Sequence, residues 1–143
     1  MNRLIMALAL LALSPTVHAE ARGAVLFGQH CAVCHQTKGE GMPGFAPRIA
    51  GTLVKHTGSE TGRAYLVQVL IDGMAGPIVV DGERFNGAMP GFPALNNEDI
   101  QALLGHVMGT LNGGAATSVE PAAIEAARKR KLSPNEVRRM RGS

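Results

Sequence analysis

Cys31-Ala32-Val33-Cys34-His35 is the most informative segment of this 143-residue chain, and it contains both cysteines of the sequence. Apolar residues at helical spacing over residues 21–34 predict that the stretch ends a first helix. A disulfide between two cysteines so close in the chain would close almost no loop and would add little stability. The pair therefore requires another explanation.

Haem attachment explains this spacing. Two thiols three positions apart on a helical turn can reach the two vinyl groups of one haem, and the next residue, His35, can then present its imidazole to the iron. A thioredoxin-like redox pair would follow a strand, whereas the run before Cys31 is helical. A zinc site needs further ligands, and His56 and His106 stand far apart. The pentapeptide favours covalently bound haem c.

Met89 is the candidate for the second axial ligand of the iron. It lies 54 residues past His35, and Pro90 stiffens the segment that follows it. The alternative is that Met89 only fills the core, as most methionines do. Three other methionines are weaker candidates because of their positions: Met42, Met74 and Met108.

The chain resembles a class I, single-haem cytochrome c over residues 21–111. Gly23, Phe27 and Cys31 stand four residues apart, as in the first helix of that family. The resemblance implies an all-α cytochrome c fold, in which a few helices surround one covalently bound haem. A small hairpin and long loops complete this expected fold.

The segment Ala46-Pro47-Arg48-Ile49-Ala50-Gly51 is similar to a loop of that family. There, a proline carbonyl accepts a hydrogen bond from the histidine ligand. Carried over, the resemblance implies that Pro47 orients His35 and raises its basicity. Asn86 to Pro90 resembles the family's methionine loop, which supports Met89.

His106 departs from the family pattern. The last helix of the family usually offers an aromatic residue that packs against the first helix, and His106 occupies that place. We expect its ring to act as a flat, partly polar filler at the helix crossing. A role as a pH-sensitive or iron-binding group is the alternative.

Further elements follow from local patterns. Thr57 and Glu60 fit a capping box for a helix over Glu60–Asp72, and Asp81-Gly82 predicts the turn of a hairpin over Pro77–Phe85. An apolar stripe predicts a helix over Asn97–Leu111, capped by Asn96. Two shorter helices are predicted after residue 118.

The chain divides into three expected parts: a signal peptide over 1–19, a cytochrome c domain over 20–117 and a basic, helical tail over 118–143. Leu4 to Leu13 is an unbroken apolar run that follows a basic start, and Val17-His18-Ala19 offers small residues before a cleavage site after Ala19. Ten apolar residues are too few to cross about 30 Å of hydrocarbon. We therefore expect a periplasmic protein with no membrane span in its mature form.

Charge is distributed unevenly. Residues 20–118 carry six basic and eight acidic side chains, a net of −2, whereas residues 119–143 carry seven basic and three acidic ones, a net of +4. The tail is therefore either a solvated end or a docking arm for an acidic partner or an anionic surface. The low aromatic content and the expected export argue against nucleic acid as a partner.

The sequence predicts an electron carrier, not an enzyme. Histidine and methionine would fill both axial positions, so the iron would exchange single electrons without reacting with small molecules. The protein would act as a free shuttle or as an electron-accepting subunit for redox partners: a periplasmic dehydrogenase, a reductase or a terminal oxidase. The alternative is a haem enzyme or sensor with an open sixth site for peroxide or a diatomic gas, which requires that Met89 does not bind iron.

Overall fold

The computed structural model describes residues 15–114 and 119–142. Most of the predicted signal peptide lies outside these residues, and its cleavage after Ala19 stays a prediction. Within the described ranges, no helix combines the length and apolar character needed to cross a membrane. The described chain is mainly helical with one two-stranded sheet.

The first helix, α1 (Pro15–His30), crosses the helix α5 (Asn97–Gly105). Gly23 is required at this crossing, because a Cβ there would lie 2.1 Å from the carbonyl oxygen of Ala102. The predicted first helix is interrupted at Cys31, and a single turn, α2 (Ala32–His35), follows. Asn96 caps α5 as predicted, its side-chain oxygen accepting from the backbone N–H of Asp99 at 2.8 Å.

The predicted apolar stripe extends beyond the end of α5, but the backbone that carries it there is not a regular α-helix. His106–Thr110 form a π-helical turn, so the helix predicted to reach Leu111 ends at Gly105 in its regular form. The apolar stripe itself is buried as predicted. Its core members are Ile100, Leu103, Leu104, Val107 and Met108.

Between these helices lie the short helix α3 (Val54–Thr57) and the longer α4 (Glu60–Asp72). The prediction that Thr57 caps α4 is wrong. Thr57 is still helical and its hydroxyl donates to the carbonyl of Val54 at 2.9 Å. Ser59 has the extended backbone that a cap needs, and its side-chain oxygen accepts from the N–H of Gly62 at 3.0 Å.

The hairpin is longer than predicted. Strand β1 (Met74–Val80) pairs antiparallel with β2 (Glu83–Met89), with Met74 opposite Met89 at the open end. Asp81 and Gly82 form the turn as predicted, with φ of 51° and 80°, the positive values that a two-residue hairpin turn requires. Met89 therefore ends a strand instead of lying in a loop.

The tail forms two helices, α6 (Pro121–Arg130) and α7 (Pro134–Met140). They pack on the body, α6 against α4 and α5, and α7 against β1 and α4. Four of the tail's apolar side chains are buried: Val119, Ile124, Ala127 and Val137. Burying these side chains fixes both helices to the core. The basic residues Lys129, Arg130, Lys131 and Arg139 are exposed, as a solvated face requires, and the docking-arm alternative stays a prediction.

Polar contacts of the tail strengthen this packing. The Arg128 guanidinium donates to the carbonyl of Pro93 at 2.9 Å, to the side-chain oxygen of Asn97 at 3.0 Å and to the carbonyl of Leu95. The carboxylate of Asp72, at the end of α4, accepts from the backbone N–H of Leu132 at 2.8 Å. These bonds connect the tail to segments about 30 to 60 residues earlier in the chain.

Candidate haem-binding site

The two thiols lie at the junction of α1 and α2. The backbone N–H of His35 donates to the carbonyl of Cys31 at 2.8 Å, which holds the histidine one turn after the first thiol. Burial, and then the nearby Cys34, raise the pKa of the Cys31 thiol to about 11. Catalytic and redox-active cysteines need the opposite shift, so this environment argues against a thioredoxin-like pair.

The imidazole of His35 is buried and anchored on one side. Its Nδ1 donates to the carbonyl oxygen of Pro47 at 2.9 Å, the contact that the family resemblance implied. Burial lowers the pKa of His35, and the hydrogen bond to Pro47 opposes that shift. The ring is therefore neutral at pH 7 and carries its proton on Nδ1, so Nε2 has a free lone pair.

A cavity of about 440 Å³ lies beside these groups. Cys31, Cys34 and His35 form its helical wall, and residues of the two strands form its hairpin wall. The hairpin side chains and their neighbours are predominantly apolar; they include Met74, Ile78, Phe85, Met89 and Phe92. The lining thus combines two thiols, the imidazoles of His35 and His30 and two thioethers among predominantly apolar side chains, and the His30 ring packs against Phe92 with centroids 5.5 Å apart. This donor set suits haem c.

The structure separates the four candidate methionines. Met74 and Met89 line the cavity, whereas Met108 is fully buried in the core and Met42 is partly exposed beside Ala46. The hydroxyl of Tyr65 donates to Sδ of Met74 at 3.3 Å, which occupies that sulfur. No such bond to Met89 is found among the described residues, and its thioether stays available.

The pairing of Met74 with Tyr65 could not be foreseen from the motifs. Tyr65 lies on α4 and Met74 starts β1, so only the fold brings the hydroxyl to the sulfur. Gly73 between them has a φ of 76°, and a Cβ there would lie 2.5 Å from the carbonyl oxygen of Met89. Gly73 therefore indicates in the sequence that the start of β1, at Met74, and the end of β2, at Met89, approach each other closely.

The two remaining candidate histidines lie away from the cavity lining. His106 packs its ring against Phe27, with centroids 5.4 Å apart, which confirms its role as the ring at the helix crossing. His56 packs against Tyr65 with centroids 4.9 Å apart. Burial lowers the pKa of both histidines, to about 4 for His56.

Comparison with known proteins adds to this geometry. The sequence model described as cytochrome c matches residues 20–110. A cytochrome c-552 from Thermus thermophilus is 39% identical over 142 residues, which cover 96% of this chain and 93% of the relative. A second cytochrome c-552 from the same species is 39% identical over 123 residues, covering 82% of this chain and 92% of the relative.

These matches include the cysteine-bearing helix, the cavity walls and α5. Cys31 and Cys34 stand where covalent attachment of haem c requires them. The electron-transfer function follows from the family. The chain therefore belongs to the cytochrome c family, as a class I c-type cytochrome that carries haem c.

Proposed function

We propose that this cytochrome is a periplasmic single-electron carrier in which His35 and Met89 hold the haem iron from opposite sides. One observation carries the proposal: the same cavity has a neutral imidazole on its helical wall and a free thioether on its hairpin wall. When bound, haem supplies a one-electron iron couple in this space. The residues of the chain position the group and set its surroundings.

Pro47 and His35 act as a unit in this proposal. The 2.9 Å hydrogen bond fixes the tautomer of the imidazole and makes Nε2 a better donor to a metal. It also limits rotation of the ring, so a ligand position is ready before any metal is bound. Pro47 is therefore a positioning residue.

Met89 and the apolar lining favour the reduced iron. A thioether is a soft ligand that raises the reduction potential of haem relative to harder ligands. Phe85 and Phe92 line the cavity beside Met89 and exclude water, which also disfavours the more highly charged oxidised state. A haem enzyme or sensor would require Met89 to leave a position open, and no contact in the described residues draws its sulfur away.

Export and partners complete the proposal. The apolar segment over 4–13 supports a signal peptide, and the family match that begins at residue 20 agrees with cleavage after Ala19. The redox partners would be a periplasmic dehydrogenase or reductase on the donor side and a terminal oxidase on the acceptor side. Redox encounters of this kind need only small, transient interfaces.

The ligand assignment is tested with a matched pair of variants, Met89→Ala and Met74→Ala. Both remove a thioether from the same cavity and from directly opposed positions of the hairpin. Met89→Ala should abolish the methionine-to-iron charge-transfer absorption of the oxidised protein, lower its potential and admit carbon monoxide to the iron. Met74→Ala should retain the absorption. The reverse pattern, or an unchanged spectrum in Met89→Ala, would overturn the assignment.

The attachment and export proposals are tested by mass. The mature protein, produced in a host with haem-maturation machinery, should weigh as much as the chain from Glu20 plus one haem. Its haem should resist extraction into acidified acetone. A mass equal to the bare polypeptide, or a different amino terminus, would contradict the respective proposal.

A further inference from the structure

A second cleft, of about 470 Å³, lies where the hairpin meets the C-terminal helix and away from the thiols. The strand residues Pro77, Ile78 and Val79 line it, together with three arginines from two separate parts of the chain: Arg84, Arg138 and Arg141. Lys55 also lines the cleft. The fold thus brings together arginines that are more than 50 residues apart in sequence.

The positive charge of these arginines has no counterpart in the lining. No carboxylate lines the cleft among the residues that the structure describes. The acidic residues of the hairpin have other partners: Asp81 pairs with Arg48 at 2.8 Å, and Glu83 accepts from the N–H of Gly44 at 2.7 Å. Converging like charges repel one another, so an anion in the cleft would relieve an unfavourable interaction.

Arg138 shows the most direct sign of a missing partner. Its Nε is buried and has no hydrogen-bond partner within the described part of the chain. A buried donor without an acceptor destabilises the folded state. Arg128 in the neighbouring helix provides the contrast, because its guanidinium donates to three oxygens of the body.

The backbone leaves room for this guanidinium. Gly76 has a φ of 101°, and a Cβ at that position would lie 2.9 Å from Nε of Arg138. Arg141 makes one long bond, from its guanidinium to the hydroxyl of Tyr65 at 3.3 Å. Most of the donors on these two arginines are therefore available for a ligand.

We propose that this cleft binds a phosphate-type oxyanion. The planar guanidinium offers paired N–H donors that match the oxygens of phosphate, and several arginines together suit a multiply charged anion. The phosphate group can belong to the free inorganic ion or to the headgroup of an anionic phospholipid. The site uses no residue of the haem cavity wall that carries a thiol, imidazole or thioether, so it is independent of the proposed iron ligands.

Two arms of one experiment distinguish the sources, both with the haem-loaded mature protein from Glu20. Calorimetric titration compares inorganic phosphate with chloride at matched ionic strength. Co-sedimentation compares vesicles of phosphatidylglycerol with vesicles of phosphatidylcholine. Binding of inorganic phosphate assigns the free ion, and binding of the anionic vesicles alone assigns the headgroup. The absence of both would overturn the proposal.

Arg138→Gln and Arg139→Gln are the matched variants, since they remove the same charge from adjacent positions of α7. Arg139 is exposed, lies 3.9 Å from Glu136 and does not line the cleft. Loss of a charge-assisted bond should weaken binding about tenfold or more in Arg138→Gln. Arg139→Gln should change it less than about twofold. Equal weakening in both would show general charge attraction and overturn the site.

If Arg138→Gln fails to fold, Arg84→Gln tests oxyanion binding in the same cleft. Arg84 is exposed on β2, so its removal leaves the packing of α7 intact. Binding should again fall about tenfold. Retention of wild-type affinity in Arg84→Gln would count against the proposal.

Discussion

The two walls of the haem cavity are held in place by interactions of different range. On the helical wall, Cys31, Cys34 and His35 lie within five residues, and Pro47, which holds the imidazole, is only twelve residues further on. On the hairpin wall, Met89 depends on strand pairing, on the contact between Tyr65 and Met74, and on the packing of α7 against β1. A local motif specifies the first wall, whereas distant segments specify the second.

Because different interactions hold the two walls, attachment of the haem and ligation by methionine can be lost separately. A change in the C-terminal helices should affect the hairpin and leave the thiols in place. A change at the crossing of α1 and α5 should instead affect the helix that carries the thiols.

Deletion of residues 119–143 should have the largest effect. It exposes the core face beneath Val119, Ile124 and Val137, and burial of three such side chains is worth roughly 5 kcal/mol or more. That is comparable with the whole stability of a small domain. Thermal unfolding should show a large drop in Tm, and the methionine-to-iron absorption should weaken while haem stays covalently attached. A solvated tail would leave both readouts unchanged, and that result would contradict the packing described above.

Gly23→Ala should destabilise the crossing of α1 and α5, on the helical side of the haem cavity. The new Cβ would lie 2.1 Å from the carbonyl oxygen of Ala102, so α1 and α5 must move apart at a cost of about 1–3 kcal/mol. Gly28→Ala on the same helix is the control, because nothing lies within 4 Å of its Cβ position. Replacing that helical glycine should be neutral or stabilising by about 0.5–1 kcal/mol. Chemical denaturation measures both, and equal effects would show that the crossing is not tightly packed.

Acid should lower the free energy of unfolding through two buried histidines, His56 near the hairpin and His106 at the helix crossing. Burial, with Arg141 and Lys55 nearby, lowers the pKa of His56 to about 4 from 6.5. Between these values the unfolded chain binds a proton that the folded chain does not, so the free energy of unfolding falls as the pH decreases. The loss from His56 should be about 1–3 kcal/mol.

The His56→Gln variant isolates the hairpin side of this acid effect. His56 packs against Tyr65, whereas His106, whose pKa burial also lowers, packs at the helix crossing. Free energies of unfolding measured by denaturation at pH 8 and pH 5 should therefore differ less in the variant than in the wild type. The remaining pH dependence comes from the other groups whose pKa the fold lowers, His106 and His35 among them. An identical pH dependence in both proteins would exclude His56 as its source.

Tyr65→Phe should give the smallest effect. It removes the hydroxyl that donates to Sδ of Met74 and accepts from Arg141, at a cost of about 1 kcal/mol. The contribution of Met74 is isolated by repeating the substitution in a Met74→Leu background, where there is no sulfur to accept the bond. If the cost is the same in both backgrounds, the contact with Met74 contributes nothing and the bond from Arg141 accounts for the effect.

Features that depend only on neighbouring residues are those that the sequence predicts correctly. The haem-attachment stretch, the Asn96 cap and the Asp81-Gly82 turn are encoded within a few residues, and the structure shows the cap and the turn where they were predicted. Thr57 and Ser59 both satisfy the chemistry of a cap. Their backbone conformations distinguish them: Thr57 is the last residue of α3 and is helical, whereas Ser59 has the extended backbone of a cap.

Features that depend on distant segments could not be predicted in the same way. The strand β2, which ends at Met89, pairs with β1 along its whole length, and the alternating pattern of the two strands is obscured by Gly87 in β2 and Gly76 in β1. The net charge of the tail suggested a solvated end or a docking arm, and the few apolar side chains that it buries, Ile124 and Val137 among them, are widely spaced in the sequence. Arg128 is one of those basic residues, yet its guanidinium binds the body.

The pairing of Met74 with Met89 has a consequence for how the gene can vary. Successive side chains of a strand face opposite sides, so a shift of one residue turns every side chain over. A single-codon insertion or deletion between Glu83 and Met89 would carry the methionine to the outer face of the hairpin. Length changes that preserve the function should therefore occur in steps of two residues within the strands, or in the turn at Asp81-Gly82, where the register of the flanking pairs is unaffected.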